Sequence, residues 1–171
     1  VTALPHPRPN QRTKPGPGQE SCWDYPRPPA LEVSSETVEV VLGGQVVART
    51  TRSWRVLETS HPPTYYLPRD AWVDGALREA DGSSHCEWKG AASYFDVVGG
   101  GGVAPRAAWT YPTPTARFAD LAGAVSVMPG QVDHCLVDGE VVVAQAGGFY
   151  GGWITSRVVG PFKGEPGTWG W

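Results

Sequence analysis

Residues 38–50 read VEVVLGGQVVART. Val38, Val40 and Leu42 recur at every second position, the period of a strand with one face on a core. Gly43-Gly44 can supply the positive-φ pair of a tight hairpin turn, and residues 45–50 then run back. The hairpin commits the chain to antiparallel β structure, and the flanking sequence repeats the pattern. Residues 53–59 (SWRVLET) predict a further strand, with Trp54, Val56 and Glu58 on one face and Arg55 and Leu57 on the other. Ser60-His61-Pro62-Pro63 must turn it, because consecutive prolines cannot continue a central ladder. Residues 64–67 resume as a strand that Pro68-Arg69-Asp70 ends. Residues 84–89 (SHCEWK) and 91–98 (AASYFDVV) predict two strands about a bend at Gly90, followed by a flexible loop at 99–102 and a strand over 103–111. Residues 131–137 and 140–145, joined by Asp138-Gly139, predict a last hairpin. One segment, 115–123, places Phe118, Leu121 and Ala122 at helical spacing and predicts a single short helix.

The totals agree with many short strands. The chain has 171 residues, enough for one domain, with 22 Gly and 17 Pro, and only 18% of its residues are charged. Its net charge of −3 provides no basic footprint, so no nucleic-acid partner is expected. No apolar run of about 18 residues exists to span a membrane. Residues 1–19, with Pro5, Pro7, Pro9, Pro15 and Pro17, predict a disordered or surface-wrapping arm without the apolar core of a secretory signal. Residues 20–171 predict one β domain. Its Trp23 and Tyr25 at one end and the aromatic tail 147–171 at the other are too apolar to stay in water, so both should dock on the core. Cys22, Cys86 and Cys135 are odd in number and far apart, which suits a reducing, cytoplasmic setting rather than a disulfide framework. No CxxC, HxxxH or HxH pair is present, and neither a metal nor another cofactor is expected.

Three stretches, ETSHPPTYYLPRD (58–70), SSHCEWKGAASYFDV (83–97) and AAWTYPTP (107–114), occur in an order that resembles the proteins called domain of unknown function 427. The resemblance extends over about residues 20–165, flanks included. It implies a β-tent-like fold, two antiparallel sheets meeting at an angle, as in methionine sulfoxide reductase B and the ligand-binding domain of cereblon. Relatives of that fold group often pin the sheets with zinc held by paired CxxC motifs, which this sequence lacks. The nucleotidyltransferase-like label sometimes given to the family finds no glycine-rich phosphate loop and no acidic pair here.

Four residues are candidates for catalysis. Glu58 and His61, three apart at a strand end and its turn, can share a pocket as an acid–base pair. Equally, His61 can cap the turn while Glu58 pairs with a cation, for which Arg55, Arg69 and Lys89 are the candidates. Cys86 is a candidate nucleophile or a small core residue. In an unbroken strand it shares a face with Ser84 and Trp88, while His85, Glu87 and Lys89 point away, so neither His85 nor Lys89 activates it unless a bulge at Gly90 alters the twist, and a cation would have to come from His61 or Arg55 on another strand. Lys89 either reaches solvent or anchors a ligand anion. Among the aromatics, several of Tyr65, Tyr66, Trp88, Tyr94, Trp109, Tyr111, Tyr150 and Trp153 can wall a flat pocket, and the expected ligand-binding set is Arg55, Tyr66, Trp88, Tyr94, Trp109, Tyr111 and Trp153. Cys22 should pack beside Trp23, and His134 and Cys135 read as peripheral.

Three readings of function follow. The first is a domain that binds a small organic molecule in a polar and aromatic pocket. The second is a metal-independent enzyme on a small organic substrate, using Glu58, His61 and Lys89 with Cys86. The third is a protein-interaction module built on the arm and tail, which predicts a dimer or a partner complex lost on deleting residues 1–19; on any reading the expected state is a monomer or homodimer.

Overall fold

A computed structural model describes residues 6–168 together with Gly170 and Trp171. Pro5 and Trp169, parts of the predicted arm and tail, lie outside the described residues. The strands are β1 (Glu20–Ser21), β2 (Ala30–Ser34), β3 (Val38–Leu42), β4 (Gln45–Thr50), β5 (Ser53–Leu57), β6 (Thr64–Tyr66), β7 (Leu77–Cys86), β8 (Gly90–Gly99), β9 (Gly102–Thr110), β10 (Val125–Val127), β11 (His134–Val137), β12 (Glu140–Val141), β13 (Val143–Ala144), β14 (Trp153–Ile154) and β15 (Val158–Val159).

The fold is mostly β and its large sheets are antiparallel. One has the order β12-β11-β3-β4, a second β10-β9-β8-β7, and a third β2-β5-β6. The last two join edge to edge just beyond β6, where Leu67 and Val125 exchange N–H···O=C bonds of 2.9 and 2.8 Å. Residues that alternate along β3, β8 and β9 meet between the sheets in the main core, which holds Val38, Val40, Val47, Val97, Ala108 and Trp153. A second cluster of Tyr66, Tyr111, Phe118 and Leu121 lies beneath the site described below, and a third gathers Cys22, Trp23, Tyr25, Leu57 and Val158.

Local chemistry explains where the strands depart from simple alternation. Residues 99–102 are not a flexible loop but a two-residue hairpin on Gly100-Gly101, both at positive φ. That tip presses so closely on the Gly43-Gly44 tip that a Cβ on Gly100 would lie 2.0 Å from the Gly43 carbonyl oxygen. Pro105 cannot donate to the ladder, and there β8 and β9 slip register; Arg106 takes φ 50° and its N–H is held by Asp96 at 2.8 Å. Residues 84–89 are not one strand, since β7 ends at Cys86 and Glu87-Trp88-Lys89 form the turn into β8.

The predicted helix is a 3₁₀ segment over Ala116–Leu121, broken at Phe118. Six residues between Pro114 and Gly123 are too few to offset α-helix nucleation, and burial of Phe118 and Leu121 holds the segment instead. Cys135 is buried in the main core rather than peripheral.

Both ends pack on the sheets. β1 pairs in parallel with β15, and the Thr13 N–H bonds the Gly160 carbonyl at 2.9 Å. The Arg12 guanidinium lies 4.7 Å from the Trp23 ring centre, so the described part of the arm wraps the surface. Among the described residues no helix is long and apolar enough to cross a membrane.

Candidate functional site

A cleft of ≈ 570 Å³ opens above the second apolar cluster, between the end of β5, the β7–β8 hairpin and the tail. Its floor is aromatic. The Trp109 indole N–H donates to the Tyr66 hydroxyl at 3.1 Å, and the Tyr111 ring centre lies 6.2 Å from that of Tyr66. Burial pushes the Tyr66 and Tyr111 phenols well above the usual range, so both stay protonated and available as donors. Tyr94, hydrogen-bonded to Ser84 at 2.7 Å, lines one side, and Phe149 and Tyr150 of the tail line another.

The polar rim is set by an improbable turn. Ser60 sits at φ 73°, a region non-glycine residues avoid, yet its side chain is fully buried. Its N–H bonds the Cys22 carbonyl at 3.2 Å and its carbonyl accepts from the Lys163 N–H at 2.8 Å, and these bonds hold the strained backbone. The turn closes with the His61 N–H on the Glu58 carbonyl at 3.0 Å, which brings both side chains to the cleft.

The hydrogen-bond network assigns the His61 tautomer. Gln145 Nε2 donates to the Lys163 carbonyl at 2.8 Å and Gln145 Oε1 accepts from the Gly152 N–H at 3.1 Å, which fixes the amide. Its remaining N–H then points at His61 Nδ1, 3.1 Å away, so Nδ1 accepts and the ring proton sits on Nε2. Nε2 faces Glu58 Oε2 at 3.5 Å. Nδ1 is therefore engaged, while Nε2 lies near Glu58 without a hydrogen bond to it. Burial, and then the charges of Lys163 and Arg27, lower the His61 pKa to about 4.

This depression has a measurable consequence. Between about pH 6.5 and 4 the unfolded chain protonates His61 while the folded protein does not, so stability falls as pH drops through that window. The loss is on the order of 3 kcal/mol. His61→Asn keeps an acceptor for Gln145 but does not titrate, and its stability is expected to vary less with pH over the same window. Parallel denaturant titrations of the two proteins decide it, and identical pH slopes would refute the assignment.

Glu58 finds its cation in Arg27, at 3.3 Å, and not in Arg55, Arg69 or Lys89. Cys86 and Lys89 both line the cleft, because the turn at 87–89 removes the alternation that would have separated them. The Thr115 hydroxyl bonds the Trp88 carbonyl at 2.7 Å and holds that turn in place.

Seven sequence-selected residues thus share the cleft with Glu58: His61, Cys86, Lys89, Tyr66, Tyr94, Trp109 and Tyr111. Three others do not line it. Arg55 is 0% exposed on the opposite face of β5, paired with Glu20 and Glu32 at 2.7 Å each. Trp153 is in the main core, stacked on Tyr65 at 5.0 Å. Trp88 packs beside the Phe118 cluster. Sequence reasoning did not assign Gln145, Arg106 or Lys163 to the site, and no local pattern marks them. Tyr150 carried one sign, its place in an aromatic, glycine-rich tail. Gly151 and Gly152 there allow close approach, since a Cβ on Gly151 would meet Trp109 at 2.4 Å and one on Gly152 would meet Pro62 at 2.4 Å.

Among the described residues no three His, Cys, Asp or Glu side chains group as metal ligands. The three cysteines are unpaired, and burial pushes the Cys22 thiol up to about 12. No curated protein matches the chain. A family model described as "Domain of unknown function (DUF427)" matches residues 30–138. The match takes in Glu58, His61, Cys86, Lys89 and the aromatic floor, and stops short of Gln145, Tyr150 and Lys163. It covers well over half of the chain, and the protein belongs to this family of unknown function.

Proposed function

We propose that this protein binds a small organic molecule in the cleft between the β7–β8 hairpin, the Glu58–His61 turn and the tail. The observation that carries the reading is the lining itself. Six aromatic side chains, Tyr66, Tyr94, Trp109, Tyr111, Phe149 and Tyr150, surround Glu58, Lys89 and Lys163 in a volume typical of ligand sites. A cleft of that size can enclose a molecule of one or two rings. Phe149, 82% exposed, is poorly accommodated by water and has an apolar partner if a ligand fills the cleft beside it. With Nδ1 held by Gln145 and its pKa lowered to about 4, His61 is a weak proton acceptor near neutral pH, which favours binding over the metal-independent enzyme reading. Three unpaired thiols suit a cytoplasmic setting.

A fragment screen by thermal shift, followed by NMR of the indole N–H signals, tests this. Compounds that stabilise the protein are expected to move the Trp109 indole resonance, assigned from the missing peak in Trp109→Phe. Failure of every fragment to stabilise the protein, or hits that leave that resonance unmoved, would sink the proposal.

A further inference from the structure

The cleft carries more positive charge than the one carboxylate of its lining can balance. Lys89, Arg106 and Lys163 line it, and neither Lys89 nor Arg106 forms an ion pair with a carboxylate among the described residues. Glu58, the one carboxylate of the lining, is already held by Arg27 at 3.3 Å. The chain as a whole has a net charge of −3, so this is a positive site on a negative protein. Each cation lies against an aromatic ring. Lys89 Nζ is 5.6 Å from the Tyr111 ring centre, Lys163 Nζ 5.7 Å from that of Tyr150, and the Arg106 guanidinium 4.5 Å from that of Tyr94. Such contacts hold the cations over flat apolar surfaces without neutralising them.

The charges of both lysines reach His61. After burial and together with Arg27, their charges are what disfavour protonation of His61. Lys163 Nζ donates to the backbone oxygen of Trp171, the last residue of the chain, at 3.1 Å, and Lys89 Nζ has no hydrogen-bond acceptor among the described residues. Tyr66 and Tyr111 add hydroxyl donors beside them. A neutral aromatic ligand would leave Lys89 and Arg106 uncompensated, and a bare inorganic anion would leave the aromatic walls wet.

Resting on the reading that the cleft binds an organic molecule, we propose that its ligand is a planar aromatic anion. Its carboxylate or phosphate sits between Lys89 and Lys163, and its ring stacks among Trp109, Tyr111 and Tyr150.

Calorimetric titration of the whole protein with four probes tests this: indole-3-acetate, its neutral amide, phenyl phosphate and acetate. At least one aromatic anion is expected to bind about tenfold more tightly than the amide, with acetate too weak to detect. Whichever aromatic anion binds more tightly identifies the anionic group. Binding of the anion should weaken about tenfold in Lys89→Gln and recover in part in Lys89→Arg, while the amide loses much less affinity. Anion binding should also raise the His61 pKa, read by NMR, because the bound charge cancels that of the lysines. If amide and anions bind equally, the charge inference falls and the organic-ligand reading stands. Anion binding that survives both Lys89→Gln and Lys163→Gln overturns the placement. If no aromatic probe binds at millimolar concentration, both readings fail.

Discussion

Trp153→Ala is expected to destabilise the protein by about 4 kcal/mol, the range seen when a buried aromatic is cut back to a methyl group. Three features make the site unforgiving. Trp153 is 0% exposed, its ring stacks on Tyr65 at 5.0 Å, and its indole N–H donates to the Val127 carbonyl at 3.1 Å. Alanine removes the stack and leaves a cavity and a buried carbonyl without its donor. The backbone bond from the Trp153 N–H to the Pro63 carbonyl, 2.7 Å, survives, so the tail stays attached and the cavity cannot close by letting it go. For a chain of this length the loss corresponds to a drop in Tm of roughly 10 °C. Trp153→Phe, which keeps a ring but no N–H, should fall between the two. Thermal and denaturant melts read the effect, and a loss below about 1 kcal/mol would mean that the tail contributes little to the core. Since Trp153 lies beyond the stretch that matches the family, the result also measures how far the family core of this chain depends on its own extension.

Glu20→Gln combined with Glu32→Gln should cost about as much, on the order of 4 kcal/mol, and more than Arg55→Met. The asymmetry follows from where each charge sits. Arg55 has no exposed surface, so once its two bonded carboxylates are neutral its charge is buried with only the Glu36 carboxylate, to which it makes no hydrogen bond, to offset it. The acids are different: Glu20 is 30% and Glu32 46% exposed, and Arg157 still contacts Glu20 at 3.0 Å. Removing the arginine therefore leaves carboxylates that water and Arg157 can serve. Methionine also fills most of the volume and eliminates the buried, unpartnered Nε of Arg55. Urea titrations of the three proteins make the comparison, and an Arg55→Met loss larger than that of the double variant would refute this account.

The same cluster shows why half of the site was legible and half was not. Glu58, His61, Cys86 and Lys89 stand in short motifs of the sequence, at a strand end and a hairpin end, where polar side chains gather whatever the fold. Alternation along residues 53–59 correctly put Arg55 opposite Glu58. It could not reveal that the opposite face is covered by β1, β15 and Arg157, which turns a candidate ligand contact into a buried ion pair. Periodicity also separated Cys86 from Lys89 wrongly, because a strand pattern cannot announce the turn that interrupts it. Lys163 reaches the cleft from the tail and Gln145 from the segment just before it, 84 residues beyond His61. Contacts at such separation leave no local trace.

By itself the sequence determined the class of structure. Alternating apolar residues, Gly-Gly and Asp-Gly turns and paired prolines are local in effect, and they dictate antiparallel strands and their ends. Composition likewise decided that the aromatic segments must be covered, since Trp and Tyr are costly to leave in water. Tertiary structure alone decided what covers what: which face of β5 meets the tail, which aromatics form the core and which the cleft, and which nitrogen of His61 carries its proton. Those outcomes depend on groups far apart in the chain, whose desolvation and pairing exist only once the sheets have closed on one another.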